Sequence, residues 1–412
     1  MAVPVPAPPG SALARCIGVA LDEFAGSYWS RQALFSPATA TGADFTDLLD
    51  EAAVDELLSR RGLRTPFIRM AKQGKVIAAS AYTRPGGAGA GIADQVADDK
   101  VLGLIADGAT LVLQALHRNW PPLIDFGSVL ATDLGHPVQI NAYLTPRQSQ
   151  GFAAHYDTHD VFVLQVSGTK RWLIHRPVLI DPLPGRDWEK HRAEVAARAG
   201  EPPLIEAVLQ PGDALYLPRG FLHSAVAQGE TSIHLTVGCH PLTRYSLIRQ
   251  LLALAREDEQ LRASLPMGLD LADPAALADE LGATVRALTG FTERTGALAV
   301  GQRLAAELAE ATRPAPIAPL AQLAVLDGLS RDTALRLRPG LRVRLEHRPE
   351  EIVLLALDHR IVLSPSMDPA MKVLLTGDPV SAAMLPGENP DELLELVRRL
   401  LSAAVLVPAD RG

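Results

Sequence analysis

Residues 155–172 read HYDTHDVFVLQVSGTKRW. Four ionisable side chains, His155, Asp157, His159 and Asp160, crowd the head of a run that is otherwise apolar and β-branched, the composition of a strand buried in a sheet. Polar groups desolvated in such a place are costly unless something partners them. On a strand, residues two apart leave the same face, so His155 and Asp157 are expected to be able to meet one ion. With 11 histidines in the chain, about one His-x-acid match arises by chance, and the pair alone is as readily a surface pair as a metal site.

A second stretch changes that balance. Residues 209–225, LQPGDALYLPRGFLHSA, set a tight turn at Pro211-Gly212-Asp213, a strand, a proline and then His223, which would return a histidine to the same mouth from a later strand. Two histidines and one carboxylate on one side of a metal form the facial triad of non-haem Fe(II) oxygenases, which leaves positions open for a cosubstrate and O2. A cation that takes up the charge and the lone pairs makes the polar cluster tolerable in a β core.

Around these stretches the chain is β-patterned from about Pro137 to His240. VQINAYLT (138–145), VFVLQVSG (161–168), KRWLIH (170–175), EAVLQPGD (206–213), ALYLPRG (214–220) and SIHLTVGC (232–239) are six short runs separated by turn residues, which predicts a sandwich or barrel. RDWEKHRAEVAARAGEPP (186–203) interrupts them as an inserted helix or long loop. Upstream, TDLLDEAAVDELLSRRG (46–62) reads as an amphipathic helix ended by Gly62, and VADDKVLGLIADGATLVLQALHRNW (96–120) as another closed by Pro121 and Pro122. Downstream, 243–266, 274–288 and 296–312 have helical periodicity and form a set of three helices before the linker RPAPIAP (313–319). From about Leu320, the strand-like runs LRVRLEH and EIVLLALDHRIVLS followed by two helical runs resemble a winged helix.

Composition sets the class. The 412 residues suffice for two or three domains, and 48% apolar with 21% charged residues is an ordinary globular balance. A formal charge of −8 argues against a nucleic-acid binder and suits a basic partner. From Ala321 onward, 11 Lys or Arg face 13 Asp or Glu, so no basic face for DNA is expected there. Cys16 and Cys239 are too few for a disulfide framework or a cysteine-rich zinc site, which points to a reducing cytosol. The N-terminus lacks the early Lys or Arg and the continuous apolar core of a secretion signal, and no uncharged apolar stretch is long enough for a membrane span. A cytoplasmic protein with no membrane association is expected.

NAYLTPRQSQGFAAHYDTHDVFVLQVSGTKRW (141–172) followed by PGDALYLPRGFLH (211–223) resembles the JmjC-type cupin hydroxylases, in particular the ribosomal oxygenases of bacteria and animals. The resemblance is densest from Asn141 to His240. It implies an α+β chain with a double-stranded β-helix core and surrounding helices: a loose Pro-rich tail over 1–10, a JmjC catalytic domain over 11–242, a helical dimerisation segment over 243–312 and a winged-helix-like domain over 320–412. It aligns His155, Asp157 and His223 with the family's iron ligands, and Lys170 with the lysine that binds the far carboxylate of 2-oxoglutarate. A cosubstrate with two carboxylates that chelates iron at one end needs a cation at the other. Asn141 and Tyr143 share a face and align with polar residues lining the active site, with core packing as the other reading. Several relatives carry Ser or Thr where this chain has Gly238, and Thr236 on the same face is the expected substitute. His159 is expected at the pocket edge or in packing rather than as a fourth ligand, His234 in the core or behind the site, and Trp29, Trp120 and Trp172 in packing.

The resulting expectation is an Fe(II)- and 2-oxoglutarate-dependent homodimer that uses O2 to hydroxylate an arginine or histidine of a basic ribosomal protein, with no direct nucleic-acid binding. Two rivals stand beside it: a hydroxylase of a peptide natural product or small molecule, and a metal-binding cupin without oxygenase activity. Lys170 speaks against the latter, which has no evident need for a cation there. Nothing in the chain resembles a reader domain for modified histone tails.

Overall fold

Strand-forming runs dominate the first half of the chain because β-branched and aromatic residues alternate there with polar ones. The structure, a computed structural model, describes residues 11–147, 149 and 153–409; the expected tail over 1–10 lies outside these residues. The chain divides into two units, Met1–Pro241 and Leu242–Gly412.

Among the described residues of the first unit are thirteen strands: β1 (Leu34–Ser36), β2 (Ile68–Lys72), β3 (Lys75–Val76), β4 (Thr83–Arg84), β5 (Gln95–Val96), β6 (Thr110–Leu113), β7 (Val138–Thr145), β8 (Asp160–Ser167), β9 (Lys170–His175), β10 (Ile205–Leu209), β11 (Ala214–Leu217), β12 (Leu222–Ala227) and β13 (Ser232–Cys239). Eight of them form a sheet in the order β1-β11-β8-β13-β7-β6-β2-β3, and β10-β9-β12 form a second, all antiparallel. The six runs expected as strands all appear, and the β4–β5 pair stands apart as a short ribbon.

Period-two alternation assigns each strand two faces. From β7, β8 and β13, Ile140, Ala142, Phe162, Leu164, Val166, Ile233, Leu235 and Val237 are buried in one core with the N-terminal helices. Their neighbours in sequence, among them Asn141, Tyr143, Val161, Val163, His234 and Thr236, line a cavity instead. Beside it, Val161, Val163, Leu215 and Leu217 of the large sheet pack on Trp172, Ile174 and Leu209 of the small one.

Two expectations in the N-terminal region are corrected. The helix expected over 96–120 stops at Ala106, and TLVL inside it becomes β6, hydrogen-bonded between β2 and β7. Its four residues are all buried, so sheet pairing outweighs a helical period that short apolar runs cannot establish. Pro121 and Pro122 open a helix, Pro121–Leu134, rather than closing one; proline is well suited to a first turn, whose N–H groups have no intrahelical partner. The helix expected over 46–62 is present but shorter, Glu51–Arg60, with the Asp50 side chain accepting from Ala53 N at its start.

In the second unit, helices Arg244–Ala255 and Glu259–Arg262 precede a long one, Pro274–Ala311. Two of the expected helices thus run together across a non-helical residue, Gly296 (φ 68°, ψ 171°). Strands Val343–His347, Ile352–Ala356 and His359–Leu363 form a three-stranded sheet rather than a single hairpin. Its buried residues share one core with the helices Asp368–Leu374 and Pro390–Ser402.

Candidate active site

The triad is assembled by backbone pairing. His155 N donates to His223 O (3.1 Å) and His223 N to His155 O (2.8 Å), so the segment ahead of β8 and the start of β12 are zipped together at these two histidines. His155 and Asp157 both precede β8, and Asp157 O also accepts from Gly220 N (3.0 Å). One ligand atom from each of His155, Asp157 and His223 lies within 4.8 Å of the others, with Asp157 Oδ2 3.7 Å from His223 Nε2.

Each imidazole is oriented in the same way. His155 Nδ1 lies 2.8 Å from Ala153 O and His223 Nδ1 3.1 Å from Phe221 O. A carbonyl can only accept, so each Nδ1 carries the proton and the lone pair sits on Nε2, the usual arrangement of a metal-ligating histidine. Burial and the neighbouring His155 hold the His223 imidazole well below its ordinary pKa. Burial resists ionisation of Asp157, but the surrounding imidazoles, His223 foremost and then His159, His155 and His240, bring its carboxyl below the usual range. Two imidazole nitrogens and one ionised carboxylate fit a divalent ion such as Fe(II) and leave part of its coordination open.

The triad opens into a cavity of about 310 Å³ between the two sheets, also lined by Asn141, Tyr143, Lys170 and Thr236. Lys170, on β9, is 4% exposed. Its Nζ donates to Thr145 Oγ1 (3.0 Å) and lies 5.9 Å from the Trp172 ring centre, with no carboxylate ion-paired to it among the described residues. Burial alone pushes its pKa down to about 7. Trp172 Nε1 and His234 Nδ1, from two further lining residues, are buried without a hydrogen-bond partner. A buried, unpaired ammonium beside orphaned polar atoms fits a bound carboxylate, whose charge and lone pairs satisfy what the protein leaves open.

The remaining expected residues are in the cavity wall with differing roles. Tyr143 is pushed up to about 12 by burial and the Asp157 charge; it receives a hydrogen bond from Arg69 and keeps its own proton to donate. Its ring stacks on His234 (5.1 Å, 8°), which is buried and also lines the cavity. Asn141 Oδ1 accepts from Ala115 N (3.0 Å), in a turn where Ala115 has φ 55°, so the amide NH2 is what Asn141 can offer a ligand. Thr236 stands opposite Asn141 on β13. Trp172 packs as expected but also faces the cavity, edge-on to His234 (5.4 Å, 88°). Asp160 is not part of the cluster: fully buried, it accepts from Tyr216 Oη (2.7 Å), Ser30 Oγ (2.9 Å) and Arg219 N (3.0 Å).

Arg69 and Gln139 also line the cavity, and the sequence reading did not single them out. A signal for Arg69 existed: it lies between Ile68 and Met70, both buried, on β2. Period-two alternation places such an arginine on the opposite face, but that segment carried too few residues to be recognised as a strand.

Comparison with known proteins agrees with this geometry. Residues 126–247 match the JmjC domain family. Ribosomal oxygenase 1 of Rattus norvegicus is 37% identical over 172 residues, which cover 39% of this chain and 27% of that protein. The bifunctional lysine-specific demethylase and histidyl-hydroxylase NO66 of Drosophila persimilis is 37% identical over 139 residues, 32% of this chain and 19% of that protein. The chain therefore matches about a quarter or less of these relatives' length. Among solved structures, Escherichia coli YcfD superposes with a TM-score of 0.57 at 17% identity over 94% of this chain and 98% of that one. The ribosomal oxygenase YcfD in complex with cobalt and 2-oxoglutarate superposes at 0.52 and 16%, over 95% and 99%. These likenesses show a shared fold.

Proposed function

We propose that this chain, which carries a JmjC domain, is an Fe(II)- and 2-oxoglutarate-dependent hydroxylase of a protein side chain. The observation that carries the reading is one cavity with a three-ligand cluster, His155, Asp157 and His223, and a buried Lys170 without a counter-ion among the described residues. When bound, iron with 2-oxoglutarate supplies the oxidation: 2-oxoglutarate and O2 become succinate and CO2, and one oxygen atom enters a C–H bond of the substrate. The chain's own residues place the reactants. Lys170 holds the far carboxylate, Tyr143 donates its hydroxyl proton to the cosubstrate, and Asn141 and Thr236 border the same space. The apolar packing of Val161, Val163 and Trp172 keeps bulk water from the reacting end. A metal-binding cupin without oxygenase activity would leave the burial of Lys170 unexplained.

The substrate in this reading is an arginine or histidine of a basic ribosomal protein. The named activities of the matched relatives and the charge of −8 support it. The test is to incubate the protein with Fe(II), 2-oxoglutarate and a pool of free ribosomal proteins, with the His223→Ala variant as control. A gain of one oxygen on a ribosomal peptide is expected with the wild type alone. If instead a peptide natural product or small molecule gains the oxygen and no ribosomal peptide does, the substrate assignment falls.

Further parts of the reading concern the second unit. The segment 243–312 is a dimerisation element: on its helices Tyr245, Ile248, Leu252, Leu281 and Val285 are all at least half exposed, and Leu308 is the one buried residue of Pro274–Ala311. Residues 320–412 form a winged-helix-like domain, supported by helices and a three-stranded sheet around one core, and its charge balance suits protein docking or structural support better than nucleic acid. The two cysteines are free and buried, which suits a reducing compartment such as the cytoplasm. Among the described residues no helix is long and apolar enough to cross a membrane.

A further inference from the structure

The cavity has two ends. Lys170, Thr145 and His234 gather at one, where β13 begins; Gln139 and Gly238 pair across β7 and β13 at the other. His234 and Gly238 are four positions apart, about 13 Å along a strand. In the oxygenase reading, on which this inference rests, the cosubstrate spans Lys170 to the triad. The volume left for the substrate's side chain is then at the Gln139 end.

Gly238 is an interior strand residue hydrogen-bonded between β7 and β8, and it is not among the glycines with positive φ. Its requirement is space. A Cβ there would lie 2.6 Å from both Cδ2 and Nε2 of His159 and 3.2 Å from Gln139 Cγ. The His159 imidazole thus rests directly on the bare backbone of β13, and its other neighbour is the His240 ring, stacked at 4.9 Å and 19°. The next residue, Asp160, anchors the backbone through Tyr216, Ser30 and Arg219. His159 lines the cavity together with Gln139.

We propose that His159 is a specificity-determining residue: seated on Gly238 and braced by His240, its ring forms the wall on which a planar, N–H-bearing side chain of the substrate lies. A flat aromatic face favours stacking by a guanidinium or an imidazole, and the Gln139 amide beside it offers an acceptor for their N–H groups. Arginine and histidine share this chemistry. A serine or threonine at 238 would displace the ring, which accounts for glycine at that position in a chain that carries His159.

The test uses the full-length, iron-loaded protein and two synthetic basic peptides that differ only in a central Arg or His. For whichever peptide is hydroxylated, His159→Ala is expected to raise the peptide KM about three- to tenfold, the range of an aromatic contact. The KM for 2-oxoglutarate and the iron bound per chain should stay at wild-type values, which a merely structural role would not predict. The methyl of Gly238→Ala meets side-chain atoms only, the His159 ring and Gln139 Cγ, so the protein should fold with the ring displaced and the peptide KM raised likewise. In the double variant the clash with the ring is gone, and the two effects should not add. Peptide binding to the Mn(II)-loaded protein, without turnover, should weaken in the same order. Unchanged peptide KM in both single variants, or additive effects in the double, overturns the proposal. Absence of 2-oxoglutarate turnover by the wild type with any substrate overturns the oxygenase reading itself, and the inference with it.

Discussion

Among single residues, His223 and Lys170 make the sharpest demands. His223 is backbone-paired to His155 and faces Asp157, so it closes the ligand set from a different strand. His223→Ala is expected to lose both bound iron and turnover; metal analysis that finds iron at wild-type occupancy would show that the ion sits elsewhere. Lys170→Ala removes a charge-assisted contact worth about 1.5 to 3 kcal/mol, so 2-oxoglutarate affinity should fall from about tenfold to more than a hundredfold while iron stays bound. An unchanged cosubstrate affinity by calorimetry would favour the non-oxygenase reading. Lys170 also predicts a proton linkage. With its pKa near 7 in the cofactor-free fold against an ordinary 10.5, the unfolded chain holds a proton between those values that the folded chain has lost. This group's contribution to stability therefore improves as pH rises from about 7 to about 10.5. A carboxylate bound at Lys170 restores the charge, so 2-oxoglutarate binding should take up close to one proton at pH 9 and almost none at pH 6. Calorimetry in buffers of different ionisation enthalpy measures this, and no uptake at pH 9 would contradict the placement of Lys170 against the cosubstrate.

Among elements, the β8–β9 connection decides whether Lys170 faces in or out. The loop is two residues, Gly168 and Thr169, and a one-residue slip in β9 would turn Lys170 and Trp172 to the opposite face. Gly168 has φ 61°, and a Cβ on it would lie 2.1 Å from Thr231 O, a backbone atom just ahead of β13. Gly229 has a similar φ of 75° with nothing within 4 Å. Gly229→Ala should therefore cost about 1 kcal/mol from conformation alone, and Gly168→Ala clearly more, together with weakened 2-oxoglutarate binding. Thermal unfolding and cosubstrate titration of the two variants compare them; equal effects would mean that the register is not pinned at Gly168. The elements most legible in the sequence were those with strict alternation bounded by turn residues: VQINAYLT, KRWLIH and SIHLTVGC are strands over the lengths they suggest. TLVL in β6 was not legible, since a threonine and three apolar residues after a helix carry no period of their own. Whether they extend the helix or join a sheet depends on neighbours supplied by β2 and β7.

For the whole molecule, exposed apolar surface on the 243–312 helices predicts a homodimer. Tyr245, Leu247, Ile248, Leu252, Leu281, Val285 and Leu298 are all exposed, more than scattered surface residues would require. Light scattering should give twice the chain mass of 43.9 kDa at micromolar concentration, and a monomer there would reject the assignment. The charge of −8 predicts that turnover of a basic substrate falls as salt rises, because the Debye length shrinks from about 10 Å at 0.1 M to about 3 Å at 1 M. Peptide KM measured across that range tests it, and a flat response would remove charge from the recognition argument.

The six alternating runs between 138 and 239, which of their faces is polar, and which residue types could bind a metal are properties of neighbours in the chain. Local alternation and the HYD and GFLH stretches carry them without reference to the fold. Other features arise between segments distant in the chain. The reciprocal hydrogen bonds of His155 and His223 exist because β8 and β12 belong to different sheets that meet at this mouth. The placement of Arg69 against Tyr143 comes from strands on either side of β6. The fit of His159 on Gly238 is a steric relation between β13 and the residue just ahead of β8, which no pattern of hydrophobicity or charge along the chain encodes.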